Sequence, residues 1–181
     1  MAIAEGTPFA LLRQLDRLGR EHQAPLPSRD EPGDFWTGVG FRLGGQHLVS
    51  SMDEVAELLK QPELSPVPRA RHWVRGIANV RGNLLPVMDL NGYLHGTFTT
   101  PTRASRVLVI HAGDLVTGLL VDEVFGMRQF PVEDRRWAPG DVDPALAPYV
   151  SGVFESDNEG GWLLFSMTAL AGHPDFMKVA G

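Results

Sequence analysis

The sequence predicts an all-β fold of the small-barrel class, on three observations. Its apolar residues gather in about nine short runs of strand length. Turns containing Gly, Asn or Asp separate those runs. Helical periodicity is confined to the start of the chain and one short later stretch, which leaves too little helix for a mixed fold.

The elements follow in order. Thr7 can cap a helix, and Pro8 sits where a first-turn proline is tolerated. Phe9, Leu11, Leu12, Leu15 and Leu18 then share one face, which predicts an amphipathic helix to about Arg20. Residues 22–34 carry Pro25, Pro27, Pro32 and Gly33 and read as a linker. Phe41 and Leu43, then Gly44-Gly45, then Leu48 and Val49 predict a tight hairpin. Asp53 is placed to cap a short helix over 54–60, with Val55, Leu58 and Leu59 on one side. Pro62, Pro66 and Pro68 stop any continuation.

A turn-rich basic stretch with Arg69, Arg71 and Arg75 comes next. Strands at 76–80 and 84–88 flank Arg81-Gly82-Asn83, and a loop follows Asn91-Gly92. The clearest hairpin joins 106–110 to 115–121 through Ala112-Gly113-Asp114. A last pair spans 150–154 and 162–165.

Bulk properties narrow the function. The 181 residues suit one domain or two small lobes, and 43% apolar content is enough for a real core. A net charge of -6 argues against a duplex nucleic-acid binder. Without cysteine there is no disulfide scaffold, thiolate metal site or cysteine nucleophile. No apolar run approaches the ~20 residues of a membrane helix. Residues 1–6 lack a basic region followed by an apolar stretch, so the expectation is a soluble, cytoplasmic protein with no direct membrane insertion.

Catalytic and metal-binding patterns are missing, so no catalytic residue, metal or cofactor is expected. Six histidines (His22, His47, His72, His95, His111 and His173) form no HxH or HxxxH pair. There is no GxSxG elbow, and Ser50, Ser51, Ser105 and Ser151 suit capping or turn bonding. Arg81-Gly82-Asn83 is not a phosphate loop. Adjacent Asp122 and Glu123 diverge if they lie on a strand, and Asp89 suits a cap. Arginines concentrate at positions 69–106, whereas acids gather later at Asp114, Asp122, Glu123, Glu133, Asp134, Asp141, Asp143, Glu155, Asp157 and Glu159. That asymmetry predicts two electrostatic faces for two protein partners. Arg81, at a strand-to-strand tip, can hold carbonyls or a carboxylate, between lobes or toward a partner.

The run Gly76-Ile77-Ala78-Asn79-Val80-Arg81-Gly82-Asn83-Leu84-Leu85-Pro86-Val87-Met88-Asp89-Leu90 resembles the signature of CheW-like domains. Gly118-Leu119-Leu120-Val121-Asp122-Glu123-Val124 resembles a second family strand in register, and the likeness covers roughly 36–170. The resemblance implies two packed five-stranded SH3-like barrels, giving residues 1–34 as helix and linker, 35–175 as the CheW-like domain and 176–181 as a tail. It implies no catalysis. The implied function is an adaptor between a methyl-accepting chemoreceptor's cytoplasmic tip and the regulatory domain of a CheA-type histidine kinase, recruited to membrane receptor arrays. The sequence around 7–16, 38–45, 121–127 and 130–132 is similar to the pilus-associated, twitching-motility branch of the family. By position, Val55, Glu57 and Leu58 are implied to meet the kinase, the first and last sharing a helical face. Arg81, Arg106, Val107, Thr117 and Gly118 are implied to meet the receptor in a groove between lobes. The alternative is a barrel that binds single-stranded nucleic acid through 69–81 and Trp73.

Overall fold

The computed structural model describes residues 34–112, 115–137, 142–155 and 160–178. The expected helix at 7–20, nearly all of the linker, and Asp114, Asp141, Asp157 and Glu159 lie outside the described residues.

Eleven strands form two mixed sheets among the described residues. One holds β1 (Phe35–Leu43), β2 (Gln46–Ser51), β8 (Glu123–Pro131), β9 (Arg135–Arg136), β10 (Val150–Phe154) and β11 (Trp162–Phe165), in the order β8-β1-β2-β11-β10-β9. The other holds β3 (Val55–Lys60), β4 (Val74–Val80), β5 (Asn83–Asp89), β6 (Arg106–Ala112) and β7 (Leu115–Val121), in the order β3-β6-β7-β5-β4. We call these lobe 1 and lobe 2. Lobe 2 is continuous in sequence, while lobe 1 joins the strands before and after it.

Both lobes use one pairing scheme. A hairpin (β1–β2 or β6–β7) takes an antiparallel edge strand on one side (β8 or β3). On its other side it pairs in parallel with a strand of a second hairpin (β11 of β10–β11, or β5 of β4–β5). The two-residue β9 extends lobe 1 by one strand.

Side-chain alternation explains the unbroken apolar runs. Val107 and Val109 fill lobe 2, while Leu108 and Ile110 face the seam between lobes. Trp162 and Leu164 fill lobe 1, while Leu163 and Phe165 face the seam. Strands buried on both faces lose the polar alternation of a solvated sheet. The seam is the largest core and includes Phe41, Leu43, Leu48, Met88, Leu90, Leu119 and Val121. Phe176, assigned by sequence to the tail, is fully buried there, so packing continues past 175.

The expected helix at 54–60 is a strand instead. A 3-10 turn (Met52–Glu54) precedes it, and Asp53 lies within that turn rather than capping a helix. Ala56, Glu57, Leu58, Leu59 and Lys60 favour helix intrinsically, but that preference is weak against tertiary pairing, and so short a helix is costly to nucleate. The slot beside β6 takes the segment as β3. Two further elements also differ. The loop after Asp89 begins as α1 (Leu90–His95), and β8 pairs along β1 although Gly126, at positive φ, interrupts its alternation. Two short helices, α2 (Met167–Ala171) and α3 (Pro174–Met177), close the described chain.

Candidate functional site

The β4–β5 hairpin gives the signature residues physical roles. Val80 pairs with Asn83, leaving Arg81 and Gly82 as a two-residue turn with φ of +53° and +86°. Such a turn needs both residues left-handed, which is costly for arginine and free for glycine. Asn79 Oδ1 accepts the Gly82 N–H at 2.9 Å and pins the turn.

Asp89, at the hairpin's far end, is fully buried. It accepts from Gly92 N at 3.0 Å, which caps α1, and from Thr99 N at 2.9 Å and Thr99 Oγ1 at 3.0 Å. Arg75 Nη1 lies 3.7 Å away. One carboxylate thus joins β4, β5, α1 and the following loop. Its capping role was readable from sequence, whereas Thr99 was missed because a loop threonine has no periodic signature.

The three positions assigned to a kinase lie on β3, not on a helix. A bulge between Val55 and Glu57 breaks simple alternation: Val55 and Leu58 stand opposite Ile110 and Leu108, on the seam face, while Glu57 and Leu59 stand opposite Val109 and Val107, on the lobe 2 interior face, with Leu58 at 44% exposure. Val55 packs against the seam. A strand bulge, not a helical turn, thus sets Val55 and Leu58 on one face. Glu57 Oε1 accepts from Arg81 Nη2 at 2.6 Å, so two residues assigned to different partners meet. Because β3 and β4 are the two ends of the lobe 2 order, this ion pair links the lobe's own ends rather than the two lobes.

The positions assigned to a receptor diverge in placement. Val107 is fully buried within lobe 2, and a Cβ at Gly118 would sit 2.6 Å from its Cγ1. Thr117 is buried and donates from Oγ1 to the Pro86 carbonyl at 3.1 Å. Arg106 is half-buried, and its Nη1 donates to the carbonyls of Arg103 and Ser105, each at 2.8 Å. Of the five, only Arg81 and Arg106 offer charged side chains toward solvent.

Polar contacts secure the first hairpin and also join the lobes. Asp122 accepts from Gly44 N at 2.8 Å, and Glu123 accepts from Arg42 at 3.0 Å, so the adjacent acids hold the first hairpin. His95 on α1 bonds Asp143, ahead of β10, at 2.9 Å. The Ala145 N–H and His95 hold the Asp143 carboxyl below its usual range. Tyr93 bonds Tyr149 at 3.1 Å and His173 Nδ1 at 2.9 Å, and burial pushes its phenol well above the ordinary range. His47 stacks on Trp162 and His72 meets Trp73 edge-on. Among the described residues no cluster of His, Asp and Glu is arranged to hold a metal, and no helix is long and apolar enough to cross a membrane. Trp73 is only 9% exposed, which removes the stacking platform that the nucleic-acid alternative needed.

Comparison with known proteins places this architecture. The model of the CheW-like domain matches residues 37–175. PilI of Pseudomonas aeruginosa is 46% identical over 175 residues, covering 96% of this chain and 97% of the relative. FrzA of Myxococcus xanthus is 31% identical over 130 residues, covering 72% and 81% respectively. The crystal structure of the scaffolding protein TtCheW from Thermoanaerobacter tengcongensis superposes with a TM-score of 0.62 at 21% identity, covering 74% of this chain and 90% of that one, and so shares the fold. A family model over most of the sequence and a relative matched nearly end to end lead to one assignment: this chain belongs to the CheW-like domain family.

Proposed function

We propose that the chain is a non-enzymatic adaptor coupling a methyl-accepting chemoreceptor to a CheA-type histidine kinase in the pathway that controls type IV pilus twitching motility. The near-full-length likeness to PilI is the observation that carries this reading. The architecture supports it: side chains fill both faces of the central strands and lock the lobes into one body. Such a body transmits geometry through its outer surfaces. In this proposal the protein reaches receptor arrays through its partners.

The mechanism is linkage. An adaptor that holds both partners passes on a receptor rearrangement only to the extent that its contacts differ between the two states. On the proposed kinase side, Leu58 offers apolar surface from β3, with Val55 on the same face packed into the seam and Glu57 on the opposite face holding Arg81. On the proposed receptor side, Arg81 and Arg106 make direct contacts. Val107, Thr117 and Gly118 act from within lobe 2 by setting the position of its wall.

Reconstitution tests the proposal. Autophosphorylation of the pilus-system kinase, measured with receptor cytoplasmic fragments, is expected to come under receptor control only when this chain is present. Equal receptor control without it overturns the reading.

A further inference from the structure

A groove of about 540 Å³ lies where β3 ends and β6 begins, lined by Lys60, Glu63, Thr102, Arg103, Ser105 and Arg106 among others. Lys60 and Arg106 stand directly opposite each other across the β3–β6 ladder. Like charges in that position repel and weaken strand pairing. Arg103, exposed on the preceding loop, adds a third cation.

None of the three makes an ion pair among the described residues, and Glu63, the one acid in the lining, pairs with none of them and leaves the lining net positive. The contrast within lobe 2 is plain: Arg75 and Arg81 each have a carboxylate from their own lobe, at 3.7 Å and 2.6 Å. Meanwhile Arg106 is held by two backbone carbonyls through Nη1 alone, which orients the guanidinium and leaves its Nε and Nη2 donors for another molecule. A chain of net charge -6 has thus gathered three unpaired cations around one concavity.

We infer that this groove docks an acidic segment of a protein partner, with Lys60, Arg103 and Arg106 meeting its carboxylates. A small phosphate fits less well, because the cations are spread around an open groove rather than converging on one point. Single-stranded nucleic acid lacks its usual aromatic platform, since the lining has no aromatic residue. That the segment belongs to a signalling protein rests on the function proposed above; its acidic chemistry does not.

The test uses the full chain and a fluorescein-labelled oligoglutamate peptide, read by anisotropy at about 50 mM NaCl, where exposed charges are weakly screened. The triple variant Lys60→Gln, Arg103→Gln, Arg106→Gln is expected to weaken binding by about tenfold or more. A control with the same charge loss on lobe 1 and just past the last described helix (Arg135→Gln, Arg136→Gln, Lys178→Gln) is expected to weaken it by less than about twofold. Arg103→Glu alone, on an exposed loop, repeats the test should the triple variant fold poorly. Equal weakening by groove and control variants overturns the inference. So does absence of wild-type binding, or displacement of the peptide by inorganic phosphate at an ionic strength where NaCl leaves it bound. A groove that binds oligoglutamate in a chain that fails to reconstitute kinase control keeps this inference and removes the adaptor reading.

Discussion

The two lobes share a pairing scheme but not a filling. Lobe 1 is packed with aromatics: Phe130 stacks on Phe154 at 4.7 Å, Trp36 stacks on Phe154 at 5.2 Å, and Phe125 meets Trp162 edge-on at 5.5 Å. Lobe 2 is packed with Ala78, Leu85, Val87, Val107, Val109 and Leu120, all aliphatic. Strand order is therefore set by ladder bonds and by alternation toward an inner and a seam face, and side-chain identity within the lobe is left free. Small residues draw the walls of lobe 2 together, as Gly118 against Val107 shows. The proposed binding groups, the Glu57–Arg81 pair and the cationic groove, sit on that same lobe. Lobe 1 supplies bulk and the acids Asp122 and Glu123 that grip its first hairpin.

The largest expected effect tests the aromatic filling. Trp162→Ala should destabilise the protein by about 3–5 kcal/mol in denaturant unfolding, since truncating a large buried aromatic leaves a cavity. The transition should remain single, because the seam joins both lobes; two separated transitions would show that the lobes unfold independently. Asp89→Ala should cost about 2–4 kcal/mol by the same measurement, as three hydrogen-bond donors and Arg75 lose their acceptor. Gly118→Ala probes the tight aliphatic wall. It should cost about 1–3 kcal/mol by overpacking, and an unchanged midpoint would mean that the wall yields freely. Arg81→Ala should change stability by less than about 1 kcal/mol, because the pair is solvent-exposed, while reducing receptor-fragment affinity in calorimetry. A large stability loss would make Arg81 structural.

The smallest effect concerns Asp143, which joins the lobes through His95. Its folded-state pKa lies below the unfolded value. The stability it contributes is therefore present above the unfolded carboxylate pKa and lost as pH falls through the folded one. Asp143→Asn should flatten the acid limb of the stability curve and leave neutral-pH binding unchanged.

Much of this architecture was legible in sequence because local chemistry and global fold agree there. Gly44-Gly45 closes the first hairpin with both residues at positive φ, as two adjacent glycines suggest. The runs at 106–110, 150–154 and 162–165 are strands at those positions or nearly so. What was illegible depends on pairing. Strand β3 is written in helix-forming residues, and only the open edge of β6 decides its conformation. Strand β8 hides behind the bulge at Gly126. At the site, Asp89 could be read as a cap from its position alone. Lys60 facing Arg106 follows from strand register, and Glu57 meeting Arg81 from the approach of the sheet's two ends, neither of which a local motif encodes.

Sedimentation velocity on a mixture of the full chain, the kinase regulatory domain and the receptor cytoplasmic fragment probes the bridging role most directly. The account predicts one species whose mass sums all three components, since a bridging adaptor must hold both partners at once. Competition between the partners for the chain, or retention of neither, would contradict it.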